Sequence, residues 1–281
     1  MIFLDPKSDI AFKKLFSDIA HKNILISFLN SVLERIEGEK IVEVIINDPS
    51  NVAETPISKT SIVDVRCTDQ KNNQYIIEMQ VITQKDYAAH AQYYSTLALN
   101  SILASGEKYD KLVPVIFVGI LDFNLFKSNN YLSHHFILDN ETHTKELKNL
   151  EFHFIELKKF DKEITELDNI LDKWIYFLKN AVSLQAIPEN LKNSVLEEAF
   201  NILAQSNWSK KELEAYDKYL DAIRSAASQL DTAFEKGIAK GEKKKSIEIA
   251  KQLLDILDIE TIAKKTGLSF AEVKDLKREY K

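Results

Sequence analysis

The chain carries a single cysteine, Cys67, among its 281 residues. One thiol excludes an internal disulfide framework and suits a reducing compartment. No apolar run approaches the length of a membrane span, and the opening MIFLDPKSD lacks the basic-then-apolar pattern of a signal peptide. A cytoplasmic protein without membrane contact is therefore expected. There is no glycine-rich phosphate loop and no G-x-S-x-G anchor, which leaves nucleotide hydrolysis and Ser/His/Asp catalysis without support. His134, His135, His143 and His153 do not follow zinc spacing. Positive charge is short as well: 37 Lys and Arg stand against 43 Asp and Glu, a formal net charge of −6. Any nucleic-acid contact must then come from local basic patches or bound metal, not from the overall field. That weighs against a tight non-specific DNA binder, but not against a nuclease, whose site is itself acidic.

What is present reads as a globular protein, 45% hydrophobic and 28% charged, long enough for one large domain or two smaller ones. The informative stretch is residues 61–82, SIVDVRCTDQKNNQYIIEMQVI, two β-rich runs joined by a polar turn. Side chains on a strand repeat every two residues, so Val63, Val65 and Cys67 share one apolar face, as do Tyr75, Ile77, Met79 and Val81. The opposite face carries Asp64, Glu78 and Gln80 among isoleucines, including Ile62. Acidic groups set among isoleucines point to a cleft. A three-residue loop, Lys71 to Asn73, pairs Asp64 opposite Gln80 and diagonal to Glu78; a two-residue loop sends the carboxylates to opposite faces. The odd loop is expected.

Before the hairpin, Ser8 is a candidate N-cap for a helix with Ile10, Phe12, Leu15, Phe16 and Ile19 on one stripe; a second helix follows over 23–33 and a strand over 41–46. After it come a helix over 84–105, an apolar strand over 113–120 fit for burial on both faces, a weak segment over 123–126, and strands over 133–138 and 152–157. Beyond Phe160 the spacing is helical: Trp174 to Leu178, Leu196 to Leu203, and Leu213 to Ile223, the first two separated by Pro188. Ser209 and Glu212 form a capping-box signal, and residues 226–257 read as a charged connecting helix weakened by two glycines. In the last unit, Ser269 and Glu272 form a second capping box after a Thr266-Gly267-Leu268 turn. This gives helix-turn-helix spacing, with Lys274, Lys277 and Arg278 on the second helix. The organisation expected is a core over 1–160, a helical region over 161–257 and a helix-turn-helix-like tail over 258–281.

Two carboxylates brought close together can share a hard cation such as Mg²⁺, with water and phosphate oxygens completing its shell. Gln80 points the same way as Glu78 and can orient water, but as a neutral amide it supplies no positive charge. The plain alternative is a solvated sheet face. Residue 9–16 DIAFKKLF, Ile62-Val63-Asp64-Val65, Ile77-Glu78-Met79-Gln80-Val81, Gln92-Tyr93-Tyr94, the segments 113–117 and 152–158 and the Lys/Gly-rich tail together resemble the recombination-promoting nuclease / putative transposase family of the PD-(D/E)XK superfamily. The resemblance covers nearly the whole chain, and in this family glutamine stands where the superfamily usually has lysine. It implies an α/β, restriction-endonuclease-like core, a mixed sheet flanked by helices, followed by an all-helical C-terminal half. It also implies metal-dependent cleavage of DNA in recombination, mobile-element biology or defence, with Mg²⁺ (or Mn²⁺ or Ca²⁺) on Asp64 and Glu78 and Gln80 in the lysine's place. Asp9 falls in the first-helix motif, where it either joins the acidic cluster or caps the helix. His90 departs from the family's frequent arginine and lies one helical turn from Tyr94; both are candidate DNA contacts, as are Lys274, Lys277 and Arg278. The second reading is a non-catalytic DNA-binding or assembly protein that uses the tail. A third possibility is homo-oligomerisation through the apolar stripes between Trp174 and Ile223.

Overall fold

A computed structural model describes residues 1–48, 63–104 and 106–279. Ile62, Ser105 and the loop before the hairpin lie outside the described residues. The chain divides into two compact units, Met1–Leu220 and Asp221–Lys281.

The first unit opens with α1 (Asp9–Phe16), which begins where expected because the Ser8 hydroxyl accepts the Ala11 N–H. Ile19 falls outside it, in a short 3-10 turn capped by Asp18. Then follow α2 (Lys22–Val32), β1 (Val44–Asn47), β2 (Val65–Asp69), β3 (Gln74–Gln80) and α3 (Tyr87–Asn100). β4 (Val115–Leu121), β5 (Leu132–Ile137), β6 (Leu147–Glu156), α4 (Ile170–Asn180) and α5 (Ser194–Leu203) complete the sequence up to α6 (Lys210–Leu253). Residues 123–126 form no strand.

Among the described residues the strands make one six-stranded mixed sheet, in the order β1-β2-β3-β4-β6-β5. β1–β2–β3 run antiparallel, β3–β4 and β4–β6 parallel, and β5 returns antiparallel to β6. β4, VIFVGIL, is buried along its whole length, as a central strand covered on both faces must be. Val65, Cys67, Ile77, Ile116, Val118 and Ile155 pack with α1, α2, α4 and α5 on one side. Ile76, Val115, Phe117 and Phe154 pack with α3 on the other. The isoleucine-bordered face of the hairpin is thus a covered face, with α3 as its lid. Cys67 is buried in the first of these clusters, and burial raises its thiol well above the ordinary value.

The stripes from Trp174 to Leu203 are spent inside this unit: Trp174, Ile175, Phe177, Leu178, Leu196 and Phe200 are fully buried in the core. They are not free surfaces for oligomerisation. The start of α6 is tied to α1 and to the segment before it. Tyr216 Oη accepts the Asp5 N–H at 2.9 Å, Lys14 Nζ meets Glu212 Oε1 at 2.6 Å, and Ser209 with Glu212 closes the capping box.

Gly119 aligns with Glu78 on one side and Phe154 on the other. A Cβ added there would stand 2.8 Å from Phe154 Cδ1 and 3.2 Å from Phe117 Cε1. Overpacking of this kind costs roughly 1–3 kcal/mol. We expect Gly119→Ala to lower the melting temperature by roughly 3–10 °C. An unchanged melt would show that the Phe154 ring yields freely.

In the second unit α6 continues without a break to Leu253, so the two helices expected on either side of Ile223 are one. Its end packs with α7 (Ile259–Thr266) and α8 (Phe270–Glu279) around Ala250, Leu254, Ile262 and Val273. Gly267 takes the left-handed turn at φ 73°, and Ser269 and Glu272 cap α8 reciprocally. No helix among the described residues is long and apolar enough to cross a membrane.

Candidate functional site

The hairpin turn fixes which residues meet. Asp69 N–H donates to the Asn73 carbonyl and Asn72 N–H to that of Asp69, so the loop is Gln70, Lys71 and Asn72, with Asn72 left-handed at φ 66°. The Asp69 carboxylate accepts the Lys71 and Asn73 N–H groups, the Asn73 amide and the Tyr75 hydroxyl. That network sets the loop one residue earlier than Lys71 to Asn73, while its odd parity holds. The ladder pairs Val65 with Ile77, and one further step places Asp64 across from Glu78 instead of Gln80. β2 itself begins only at Val65, after a bend. There Val63 turns into the cluster under α3 rather than joining Val65 and Cys67. At that bend the Asp64 side chain takes over a ladder position: its Oδ2 accepts the Met79 N–H at 2.7 Å.

Glu78 is buried beneath α3. Its Oε2 accepts the Tyr87 hydroxyl at 3.1 Å and lies 3.1 Å from His90 Nε2. Tyr87 and His90 stack at 5.3 Å, and His90 meets the Tyr94 ring edge-on at 4.2 Å. His90 is therefore engaged with the Glu78 carboxylate, and Tyr94 reaches the site through His90. Tyr93 is exposed and Tyr94 half-buried, so neither serves as a core residue. Gln80 is half-buried, and its amide donates to the Ile82 carbonyl at 3.4 Å.

Asp64 is the electrostatically stressed member. Burial pushes its carboxyl up; the Met79 N–H opposes this, the Glu78 and Asp9 charges add to it, and Lys13 opposes it, with a net rise from 3.8 to about 7. Asp9 pairs with Lys13 at 2.7 Å, one turn along α1. Tyr219 of α6 stands close by, and burial, with Asp9, Asp64 and Asp5 nearby, pushes its hydroxyl up to about 12. The neighbourhood thus holds Asp64, Glu78 and Asp9, with Lys13 as the cation acting on Asp64. Tyr87 and Tyr219 carried no signal in the sequence, since each comes from another element, and Lys13 stood only as an unassigned member of the 9–16 motif.

Among the described residues, no group of three or more His, Cys, Asp or Glu side chains is placed to hold a metal by itself. The donor set that does fit one is the oxygen pair Asp64 and Glu78. Hard oxygen donors, with the Glu78 charge bearing on Asp64, suit a divalent cation of the Mg²⁺ type, which commonly takes one or two carboxylates plus water and phosphate.

Other expected residues lie elsewhere. Lys274 and Arg278 are exposed on α8, Arg278 Nη1 standing 3.5 Å from Asp275 Oδ1, and Lys277 is half-buried. The structure also brings together a pair that sequence spacing did not reveal. His134 and His153 face each other across β5 and β6 with their Nδ1 atoms 2.6 Å apart, and Glu151 Oε2 lies 3.6 Å from His153 Nε2.

A family model described as PD-(D/E)XK nuclease family transposase matches residues 6–233. The comparison with curated proteins and that with solved structures find no match. The mixed sheet flanked by helices, with its helical C-terminal part, is consistent with the restriction-endonuclease-like fold of that superfamily.

Proposed function

The chain belongs to the PD-(D/E)XK nuclease family transposases, and from that premise we propose that it is a DNA endonuclease hydrolysing phosphodiester bonds with a divalent cation held by Asp64 and Glu78. Membership supports a nuclease- and transposase-related function with DNA as substrate. The observation that carries the finer reading is the hairpin register, which sets Asp64 across from Glu78 where their charges act on each other.

Bound there, Mg²⁺ or Mn²⁺ supplies a lowered pKa to water and offsets the charge that develops on the phosphate. The chain's own residues do the rest. Tyr87 and His90 hold the Glu78 carboxylate in one orientation by two contacts to its Oε2, the outer-shell support a metal ligand needs. Met79 N–H holds Asp64. Gln80 positions water through its amide. Lys13, steadied by Asp9, provides the cation for a phosphate oxygen that Gln80 cannot provide.

The test is incubation of supercoiled plasmid with purified protein and Mg²⁺, Mn²⁺ or Ca²⁺, beside Asp64→Ala. Nicking that needs metal and vanishes in the variant is the expected result. Equal nicking by both forms means the activity lies elsewhere.

A second reading rests on the closed helix-turn-helix-like pair α7 and α8, whose Lys274 and Arg278 are exposed. On it the protein binds DNA through its tail without cutting. Gel shifts with a chain lacking residues 258–281 separate the two, since binding unchanged by the deletion removes the tail as a reader.

A further inference from the structure

We propose that residues 227–245 of α6 pair with the same stretch of a second copy of the chain, antiparallel. Every residue of this stretch is exposed in the single chain. A helix with no buried face depends on its own propensity and side-chain pairs, and here both are poor. Gly237 and Gly241 lower its propensity, and a Cβ added at either meets nothing within 4 Å, so no packing among the described residues accounts for them. Charges one turn apart are alike: Asp231 with Glu235, Lys236 with Lys240, and Lys240 with Lys244. Of the neighbouring ion pairs, Arg224 with Asp221 at 3.2 Å precedes the stretch and Lys243 with Glu272 at 2.8 Å lies near its end.

One face is apolar nonetheless. Leu230 is 49%, Phe234 70% and Ile238 47% exposed, and with the two glycines they follow a three-and-four spacing: Leu230, Phe234, Gly237, Gly241. That pattern matches its own reverse. Antiparallel, with Phe234 of one copy opposite Gly237 of the other, Leu230 comes opposite Gly241. Leu230 and Phe234 then each meet a glycine across the seam, and both glycines gain a reason. A parallel pairing sets Phe234 against Phe234 and glycine against glycine.

The experiment is the oligomeric state of the full chain by sedimentation across a concentration series, with nucleic acid removed. We expect a dimer that Gly237→Leu and Phe234→Glu weaken at least about 30-fold. Gly237→Leu improves helix propensity while blocking the close approach, so weakening by it, with helicity by circular dichroism kept or raised, separates pairing from helix loss. Orientation is read by cysteines. Leu230→Cys mixed with Gly241→Cys gives a disulfide-linked dimer, and Leu230→Cys alone gives none; Cys67 is buried and does not compete. A monomer at every concentration, a dimer seen only while nucleic acid remains, a dimer that both substitutions leave intact, or self-linking of Leu230→Cys each overturns the proposal.

Discussion

Asp64→Asn is expected to remove metal-dependent cleavage and, in the same molecule, to make the metal-free protein more stable. Loss of a metal ligand costs at least the 100-fold or so that even an outer partner is worth. The gain in stability follows from Asp64's own predicament. Its carboxyl rises from 3.8 to about 7, first through burial and then through the Glu78 and Asp9 charges. At 1.36 kcal/mol per pK unit the ionised form carries a penalty of up to roughly 4 kcal/mol, and partial solvent access brings this nearer to 2. The sign follows from linkage: the folded state holds the Asp64 proton more tightly than the unfolded state does. That contribution is fully present below about pH 4 and is lost as pH rises through about 7. Metal-free wild type should therefore melt lower at pH 8 than Asp64→Asn, by roughly 4–8 °C, and the gap should close towards pH 4. Added Mg²⁺ should raise the wild-type melt and leave the variant's unmoved. A variant that melts at or below wild type at pH 8 would show that the acid pair is not under strain.

This tension between ligand and fold was only half legible in the sequence. Local signals read well because they are settled within a few residues: the Ser8 cap, the Ser209–Glu212 and Ser269–Glu272 boxes, and the fully buried β4. The family motifs placed Asp64, Glu78 and Gln80 on one hairpin. Its loop parity followed from strand geometry, but its register did not, because the Asp69 side chain, accepting four donors, decides where the turn closes. Val63 changed faces for a related reason, the strand starting only after the bend at Asp64. The roles of the residues that surround the acid pair were out of reach: His90 was legible only as a candidate DNA contact, and Lys13 only as part of the 9–16 motif. Tyr87 and His90 descend from α3, Lys13 from α1 and Tyr219 from α6, and a pattern read along one strand says nothing of what packs across it. The glycines of α6, read as weakening a connecting helix, sit inside an unbroken one.

The neutral Gln80 leaves the site's positive charge to Lys13, and substitutions at the two positions should show it. Lys13→Ala is expected to lower the cleavage rate about 100- to 1,000-fold, the cost of losing one donor aimed at a developing charge, with substrate binding less affected. Lys13→Arg should keep part of the activity, since it keeps the charge and the pairing with Asp9. Gln80→Lys alone should not improve the enzyme. A second ammonium beside Asp64 and Glu78 competes with the divalent cation for the same two carboxylates, so the metal concentration needed for half-maximal cleavage should rise. Placed in the Lys13→Ala background, the same Gln80→Lys should recover about 10-fold or more, because there it refills an empty role. The two substitutions are then coupled, with an interaction energy of at least about 1.4 kcal/mol in a double-mutant cycle. If Lys13→Ala cleaves like wild type, the 2.7 Å contact between Lys13 and Asp9 is only a helix-surface pair, of the few tenths of a kcal/mol such pairs contribute. If it cleaves poorly and Gln80→Lys restores nothing, the position of the cation matters and not its charge alone, and α1 is part of the active site by its geometry.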